Sequence, residues 1–172
     1  MSSSLVGSEM CIRDRAMVVS AHPLASEVGL SILKKGGNAA DASVAVQFAL
    51  AVVYPSAGNI GGGGFLVYRK NNGFSSSLDF REKAPSKAYR NMFLDSNNKV
   101  IENSSLYSPL AVGVPGTVDG MVQIHAKYGK LPWKELIQPS IDLAENGFPL
   151  TLKEANKLNW FNKIKHKNCL LY

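Results

Sequence analysis

The spacing of apolar residues predicts a helix near the start of the chain. Leu24, Val28 and Ile32 recur every fourth position, which places them on one face of an α-helix. Gly36 and Gly37 follow, and glycine readily adopts the left-handed backbone conformation that ends many helices. We therefore expect this helix to end at these glycines.

A second and more apolar helix is predicted directly afterwards. Asn38 can accept hydrogen bonds from the free amides of a first helical turn, and Asp41 at the third helical position completes this cap. Alanines lie on almost every side of the following segment, so neighbouring elements can approach it closely. Pro55 ends the segment, which is interrupted by polar residues and is typical of a buried helix in a globular protein.

An alternating pattern then predicts a β-hairpin. Phe65–Arg69 and Ser75–Arg81 have the composition of strands, and Asn71-Asn72-Gly73 between them is typical of a tight turn. Within the second strand, Asp79 and Arg81 lie on the face opposite to its apolar residues.

The other predicted elements have weaker patterns. We expect two short strands, at Ala16–Ala21 and Leu110–Val114. We also expect four helices: one capped by Thr117 and reaching Tyr128, one opened by Pro132, one over Pro139–Asn146, and one begun by Thr151 with Glu154. His125 would lie near the apolar face of the first of these four helices.

The composition is that of one modest folded domain. The chain has 172 residues, of which 45% are hydrophobic and 19% are charged. Its formal net charge of +6 is spread over separate basic stretches, so nucleic-acid binding is not expected. No segment approaches the roughly 18 consecutive apolar residues that a membrane-spanning helix needs.

The two ends differ from the rest of the chain. Residues 1–15 lack helical or strand periodicity and resemble translated sequencing-adapter sequence, and residues 169–172 resemble the start of another such tail. We interpret both ends as non-native, which leaves residues 16–168 as the protein's own sequence. Cys11 and Cys169 lie in these ends, so they support no disulfide, metal or redox site.

The chain contains no generic catalytic or cofactor motif. The glycines at 58 and 61–64 lack the dinucleotide-binding spacing and precede a strand, so a tight structural turn is favoured over a ligand cradle. His22, His125 and His166 are too scattered to suggest a metal site. We expect neither a metal nor a cofactor.

Arg81 is the polar residue with the clearest chemical possibilities. Its guanidinium, at a strand end, could hold a carboxylate with two parallel hydrogen bonds. The pattern alone, however, favours a local ion pair with Asp79 or Glu82.

Several unusual blocks, in this order, resemble the γ-glutamyltransferase (γ-glutamyltranspeptidase) family. They are Gly36–Ala42, Pro55–Phe65, Asp79–Pro85, Pro115–Val118, Tyr128-Gly129, Gln138-Pro139 and Gly147-Phe148. The resemblance extends over about Ala16 to Lys163. It implies an α+β fold in which this chain supplies outer helices and a β-hairpin, as part of the αββα sandwich of an N-terminal-nucleophile hydrolase.

The resemblance also implies a chemistry. Members of the family are precursors that cleave themselves into a large and a small subunit, and the new N-terminal threonine is the nucleophile. That threonine removes the γ-glutamyl group from glutathione and related amides and passes it to water or to an acceptor amine. Residues 16–168 resemble an incomplete N-terminal part of the large subunit, so the chain alone would hold no catalytic residue and be inactive.

One site residue is implied within this chain. The arginine of the family's Asp-Phe-Arg-Glu block binds the α-carboxylate of the substrate, and it corresponds to Arg81. The implied partners are glutathione or another γ-glutamyl amide, the rest of the large subunit, and the small subunit, in the periplasm or outside the cell. Two alternatives stay open: a cephalosporin- or glutaryl-acylase-like or capsule-processing relative, and a non-catalytic module that binds a small carboxylate.

Overall fold

A computed structural model describes residues 16–163, with side chains through residue 159. The proposed non-native ends, both cysteines and His166 therefore lie outside the described residues. The chain divides into two compact units. The first includes residues 16–83 and 114–147, and the second includes residues 84–113 and 148–163.

Helices dominate the described residues, and the two regular strands form one hairpin. In chain order the elements are α1 (Pro23–Lys34), α2 (Ala39–Val53), β1 (Phe65–Arg69), β2 (Ser75–Asp79), α3 (Ser104–Tyr107), a short 3-10 helix (Pro109–Ala111), α4 (Thr117–Tyr128), α5 (Trp133–Asn146) and α6 (Leu152–Lys163). No helix among the described residues is long and apolar enough to cross a membrane.

Helix α2 lies at the centre of the first unit, where α1, α4 and α5 all contact it. Its alanines allow this, because small side chains let helices approach closely on several sides at once. The buried residues of α2 are Ala40, Asp41, Ala42, Val44, Ala45, Ala49 and Val53. The apolar residues among these pack with Ile32 of α1, Ile124 of α4 and Leu136 of α5 to form the core of this unit.

The predicted caps of the first two helices are confirmed. Gly36 has φ 91°, the left-handed conformation expected after α1. Asn38 accepts hydrogen bonds from the amides of Ala40 and Asp41, and the Asp41 carboxylate accepts one from the Asn38 amide. This reciprocal arrangement satisfies several backbone donors that the start of α2 would otherwise leave free.

The predicted hairpin is confirmed, but its second strand is shorter than expected. Strands β1 and β2 pair antiparallel, with Phe65 opposite Asp79, and regular pairing ends there. Because β1 begins at Phe65, residues beyond Asp79 have no strand to pair with. Phe80 still donates its amide to the carbonyl of Gly64 at 3.0 Å, but Arg81 lies outside the strand.

Both short strands predicted from β-branched residues are wrong. Residues 17–20 adopt no regular structure, and no described residue pairs with them as a strand would require. Leu110 lies in the 3-10 helix, where its amide donates to the Ser108 side chain at 3.0 Å. This local hydrogen bond prevails over the weak strand preference of the segment. Val114 makes only an isolated bridge to Lys83.

The two helices expected around Pro132 and Pro139 form the single helix α5. Pro139 removes one backbone donor, but the helix continues through it. Leu136 and Ser140, on either side of Pro139, are both buried, and α5 packs against α2. Gly147 ends the helix as predicted, with φ 73°.

The second unit contains a tight turn and a capped helix. Its chain turns at Asp95, whose carboxylate accepts hydrogen bonds from the amides of Asn97 and Lys99. The predicted capping box before α6 is confirmed, because Thr151 and Glu154 each accept a hydrogen bond from the backbone amide of the other.

Candidate functional site

Arg81 lies directly after β2 and is exposed. Its backbone amide donates to the Asp79 carboxylate at 3.0 Å, so the aspartate fixes the backbone instead of neutralising the guanidinium. Among the described residues, no carboxylate forms an ion pair with Arg81. The local ion pair that the sequence pattern favoured is therefore not formed.

The guanidinium lies near the aromatic ring of Phe65, at 5.8 Å from the ring centroid. A cation at this distance is held weakly by the ring, and the hydrogen-bonding edge of the guanidinium is not consumed by the contact. The arrangement leaves the planar fork of Arg81 available for a carboxylate, which it can bind through two parallel hydrogen bonds.

The residue before Arg81 is the buried Phe80, whose ring lies against two glycines and whose carbonyl lies against a third. A methyl group added at Gly64 would lie 2.9 Å from the Phe80 ring. One added at Gly120, in the first turns of α4, would overlap the same ring. One added at Gly116 would overlap the Phe80 carbonyl. Phe80 is thus anchored where only glycine leaves room for it.

The glycine run preceding β1 lies against the backbone of Arg81. A methyl group at Gly63 would stand 2.6 Å from the Arg81 Cα atom, whereas one at Gly61 would meet nothing within 4 Å. The carbonyl of Gly62 accepts hydrogen bonds from the amides of Gly116 and Thr117, at 2.8 and 3.0 Å. These contacts agree with the tight structural turn favoured from the sequence.

Thr117 does not have the capping role predicted for it. Gly116 occupies the N-cap position of α4, and the fully buried Thr117 hydroxyl instead donates to the Asn59 side chain at 2.7 Å. The same Asn59 oxygen accepts the amide of Gly62 at 2.9 Å. Asn59 lay within a recognised block but was not singled out, because its partner is 58 positions away in the chain.

The two histidines among the described residues, His22 and His125, hold structural positions. His22 caps α1, with its Nδ1 accepting from the Leu24 amide at 3.2 Å. His125 is half-buried at the core boundary, as expected, with its Nε2 2.8 Å from the carbonyl oxygen of Leu131 and its ring edge-on to Trp133. Residues 16–163 contain no group of three or more histidine, cysteine or acidic residues that could hold a metal ion.

Comparison with known proteins identifies a family. The sequence model of the family described as Gamma-glutamyltranspeptidase matches residues 25–169. The chain is 51% identical over 157 residues to the Glutathione hydrolase proenzyme of Pseudomonas sp. (strain A14), covering 91% of this chain and 26% of that protein. It is 51% identical over 134 residues to the protein of the same name from Escherichia coli (strain K12), covering 78% and 23%.

A solved structure gives the same result. The crystal structure of Helicobacter pylori gamma-glutamyltranspeptidase superposes with a TM-score of 0.83 at 51% identity, covering 88% of this chain and 44% of that one. This likeness confirms the predicted fold class: α+β, with the helices and β-hairpin of a partial αββα sandwich. The chain spans about a quarter of the length of the curated relatives it matches.

Proposed function

Because the chain belongs to the gamma-glutamyltranspeptidase family, we propose that it forms the N-terminal part of the large subunit of a glutathione hydrolase. In this role it acts on the γ-glutamyl amide of glutathione and related compounds, and the glutamyl group passes to water or to an acceptor amine. The observation that carries the proposal is the exposed side chain of Arg81. It forms no ion pair among the described residues, and it directly follows the buried Phe80.

Arg81 would bind the α-carboxylate of the γ-glutamyl group. A guanidinium presents two parallel N–H donors that match the two oxygens of a carboxylate, so it fixes both the position and the orientation of the substrate. Arg81 is suited to this because its backbone is held on one side by Asp79 and on the other by Gly63. Little motion of the backbone then has to be suppressed when the substrate binds.

The bond-breaking step would be performed by a threonine outside this chain. Its hydroxyl oxygen would attack the γ-carbonyl carbon, the amide C–N bond would break, and the leaving amine would take up a proton. Water or an acceptor amine would then attack the resulting ester and release the threonine. The present chain contributes binding to this scheme and, by itself, would be inactive.

The remaining parts of the large subunit and the small subunit would be its partners, in a protein that processes itself from a precursor. The proenzyme names of the relatives support this interpretation.

We also propose a periplasmic or extracellular location, and we propose that residues 1–15 and 169–172 are not native. The acylase-like and module alternatives are not favoured, since the relatives at 51% identity are named glutathione hydrolases.

The test uses a completed proenzyme, in which residues 16–163 replace the corresponding segment of the Pseudomonas sp. relative. We expect it to process itself and to cleave a chromogenic γ-glutamyl anilide. Arg81→Lys keeps the charge but loses the fork, so KM should rise roughly tenfold, the loss expected when one charged hydrogen bond is removed.

Arg69→Lys, an exposed arginine at the end of β1, is the matched control and should leave KM within about twofold of the unsubstituted value. Self-cleavage should proceed normally in both variants. A processed Arg81→Lys enzyme with unchanged KM would remove Arg81 from the substrate site.

A further inference from the structure

Beyond the arginine itself, the structure contains a hydrogen-bonded support that reaches Arg81 from helices α2 and α4. It begins at the Asn59 side chain, whose Oδ1 atom accepts two hydrogen bonds. One comes from the buried Thr117 hydroxyl at 2.7 Å, and the other from the Gly62 amide at 2.9 Å. A single oxygen therefore ties the loop that precedes β1 to the first residue of α4.

The same loop is held at two further points. Gln47 of α2 donates its side-chain amide to the Asn59 carbonyl at 3.3 Å. The carbonyl of Gly62 accepts the amides of Gly116 and Thr117 at the start of α4. Asn59 is thus bonded to both helices and Gly62 to the start of α4, so this part of the loop is tied to the helical core.

This loop limits the position of the Arg81 backbone on the side opposite to the Asp79 carboxylate. A methyl group at Gly63 would be 2.6 Å from the Arg81 Cα and 2.8 Å from the Glu82 nitrogen, so the two backbones are in direct contact. Arg81 lies beyond the last regular pair of the β-ladder, so its backbone is held by the Asp79 carboxylate and by the contact with Gly63. A shift of Gly62 or Gly63 would move or turn the Arg81 backbone, and any rotation there would displace the guanidinium further because the side chain is long.

We propose that Asn59 and Thr117 are positioning residues for Arg81, and that their hydrogen bond sets the reach of the guanidinium toward the γ-glutamyl α-carboxylate. This inference rests on the proposed function of Arg81. It assigns a specific task to the buried hydroxyl of Thr117 and to its hydrogen bond with Asn59.

The test is a cycle of variants in the completed proenzyme, read as kcat and KM for the γ-glutamyl anilide. Thr117→Val is isosteric and removes only the hydroxyl, so KM should rise roughly five- to tenfold, the effect of losing one buried hydrogen bond, with kcat within about twofold. Thr117→Ser retains the hydroxyl and should stay within about twofold of the unsubstituted KM.

The decisive comparison repeats Thr117→Val together with Arg81→Lys. If Thr117 acts through Arg81, adding Thr117→Val should raise the KM of the Arg81→Lys enzyme by less than about twofold. The paired hydrogen bonds between the guanidinium and the carboxylate, which Thr117 helps to position, are already lost in that enzyme. A general loss of packing would instead raise KM by the same factor in both backgrounds, and that result would overturn the proposal. Failure of Thr117→Ser to restore KM would overturn it as well.

Two further readouts keep the outcomes separate. Gln47→Ala, a change at the α2 end of the support, should raise KM roughly three- to fivefold and tests the proposal if Thr117→Val does not fold. An unchanged KM in Gln47→Ala would then count against it. If Arg81→Lys itself leaves KM unchanged, the proposed function of Arg81 fails first, a result distinct from failure of the support alone.

Discussion

Glycine residues determine how closely other backbone atoms can approach the Phe80-Arg81 peptide. Gly116 at the start of α4 has no room for a methyl group, because that group would overlap the Phe80 carbonyl. Gly61, two residues before the contact with Arg81, faces open space. The two positions therefore differ in packing while sharing the same residue type.

We predict that Gly116→Ala lowers the melting temperature of the completed proenzyme by several degrees, since overpacking costs about 1–3 kcal/mol and the backbone here cannot move freely. Gly61→Ala is the control and should change the melting temperature by less than about 1 °C. Calorimetry on the two variants decides this. Equal melting temperatures would show that the close approach at Gly116 relaxes without cost.

At this scale the sequence predicted some residues and missed others. Arg81 was singled out through the block it occupies and stays a proposal, and the contacts of the glycine run agree with a structural turn. Thr117 was assigned to a cap because a threonine before a helical segment usually has that role. Its real partner, Asn59, is 58 positions away, and local patterns carry no information about such a contact.

Among the elements, α2 depends on a buried carboxylate. The Asp41 side chain is fully buried and accepts the amide of Asn38 at 2.9 Å and that of Lys130 at 2.9 Å. It therefore joins the start of α2 to the segment that leads into α5. Each of these donors would be left without its partner if the carboxylate were removed.

We predict that Asp41→Ala destabilises the completed proenzyme by about 2–4 kcal/mol, because buried backbone amides lose charged hydrogen-bond acceptors. Ser43→Ala, on the exposed side of the same helix, should change stability by less than about 0.5 kcal/mol. Urea unfolding followed by circular dichroism compares the two. A similar midpoint for both variants would contradict a structural role for Asp41.

Helices and strands were predictable from the sequence where the residues that define them lie close together in the chain. The caps at Asn38 and Thr151 were correct because a capping box uses side chains three residues apart. The strands at 16–21 and 110–114 were wrong because a strand needs a partner, which composition does not reveal. The helix boundary expected near Pro139 was also wrong, since packing of α5 against α2 outweighs the missing donor.

For the whole molecule, the hairpin leaves apolar surface uncovered in the described residues. Val67 is 84% exposed and Phe65 is 66% exposed on one face of β1. Apolar side chains next to each other on an uncovered sheet face favour association with another chain. In the proposed enzyme this face would be covered by the parts of the protein that surround it.

We predict opposite effects of Val67→Lys in two settings. In the isolated segment 16–163 the added charge should reduce self-association, measured by light scattering, because a charge on an exposed edge opposes pairing. In the completed proenzyme it should lower the yield of processed protein, since the charge would be buried. Asn71→Lys in the exposed turn is the control and should change neither self-association nor the yield of processed protein. Normal processing of Val67→Lys would contradict the prediction that the face of β1 bearing Val67 is covered in the complete protein.

The general class of the molecule followed from the sequence, but the division into two compact units did not. Composition and length indicated one modest domain, whereas residues 84–113 and 148–163 group apart from the rest. Segments distant in the chain combine in each unit, and only tertiary contacts decide which segments combine.

Recognition of the substrate carboxylate by Arg81 is most directly tested with two matched anilides. One carries the γ-glutamyl group and the other a 4-aminobutanoyl group, which lacks only the α-carboxylate. The completed proenzyme should prefer the first in kcat/KM, and Arg81→Ala should reduce that preference by roughly ten- to a hundredfold, the effect of losing a charged hydrogen-bonded pair. A preference that survives Arg81→Ala undiminished would contradict the assignment.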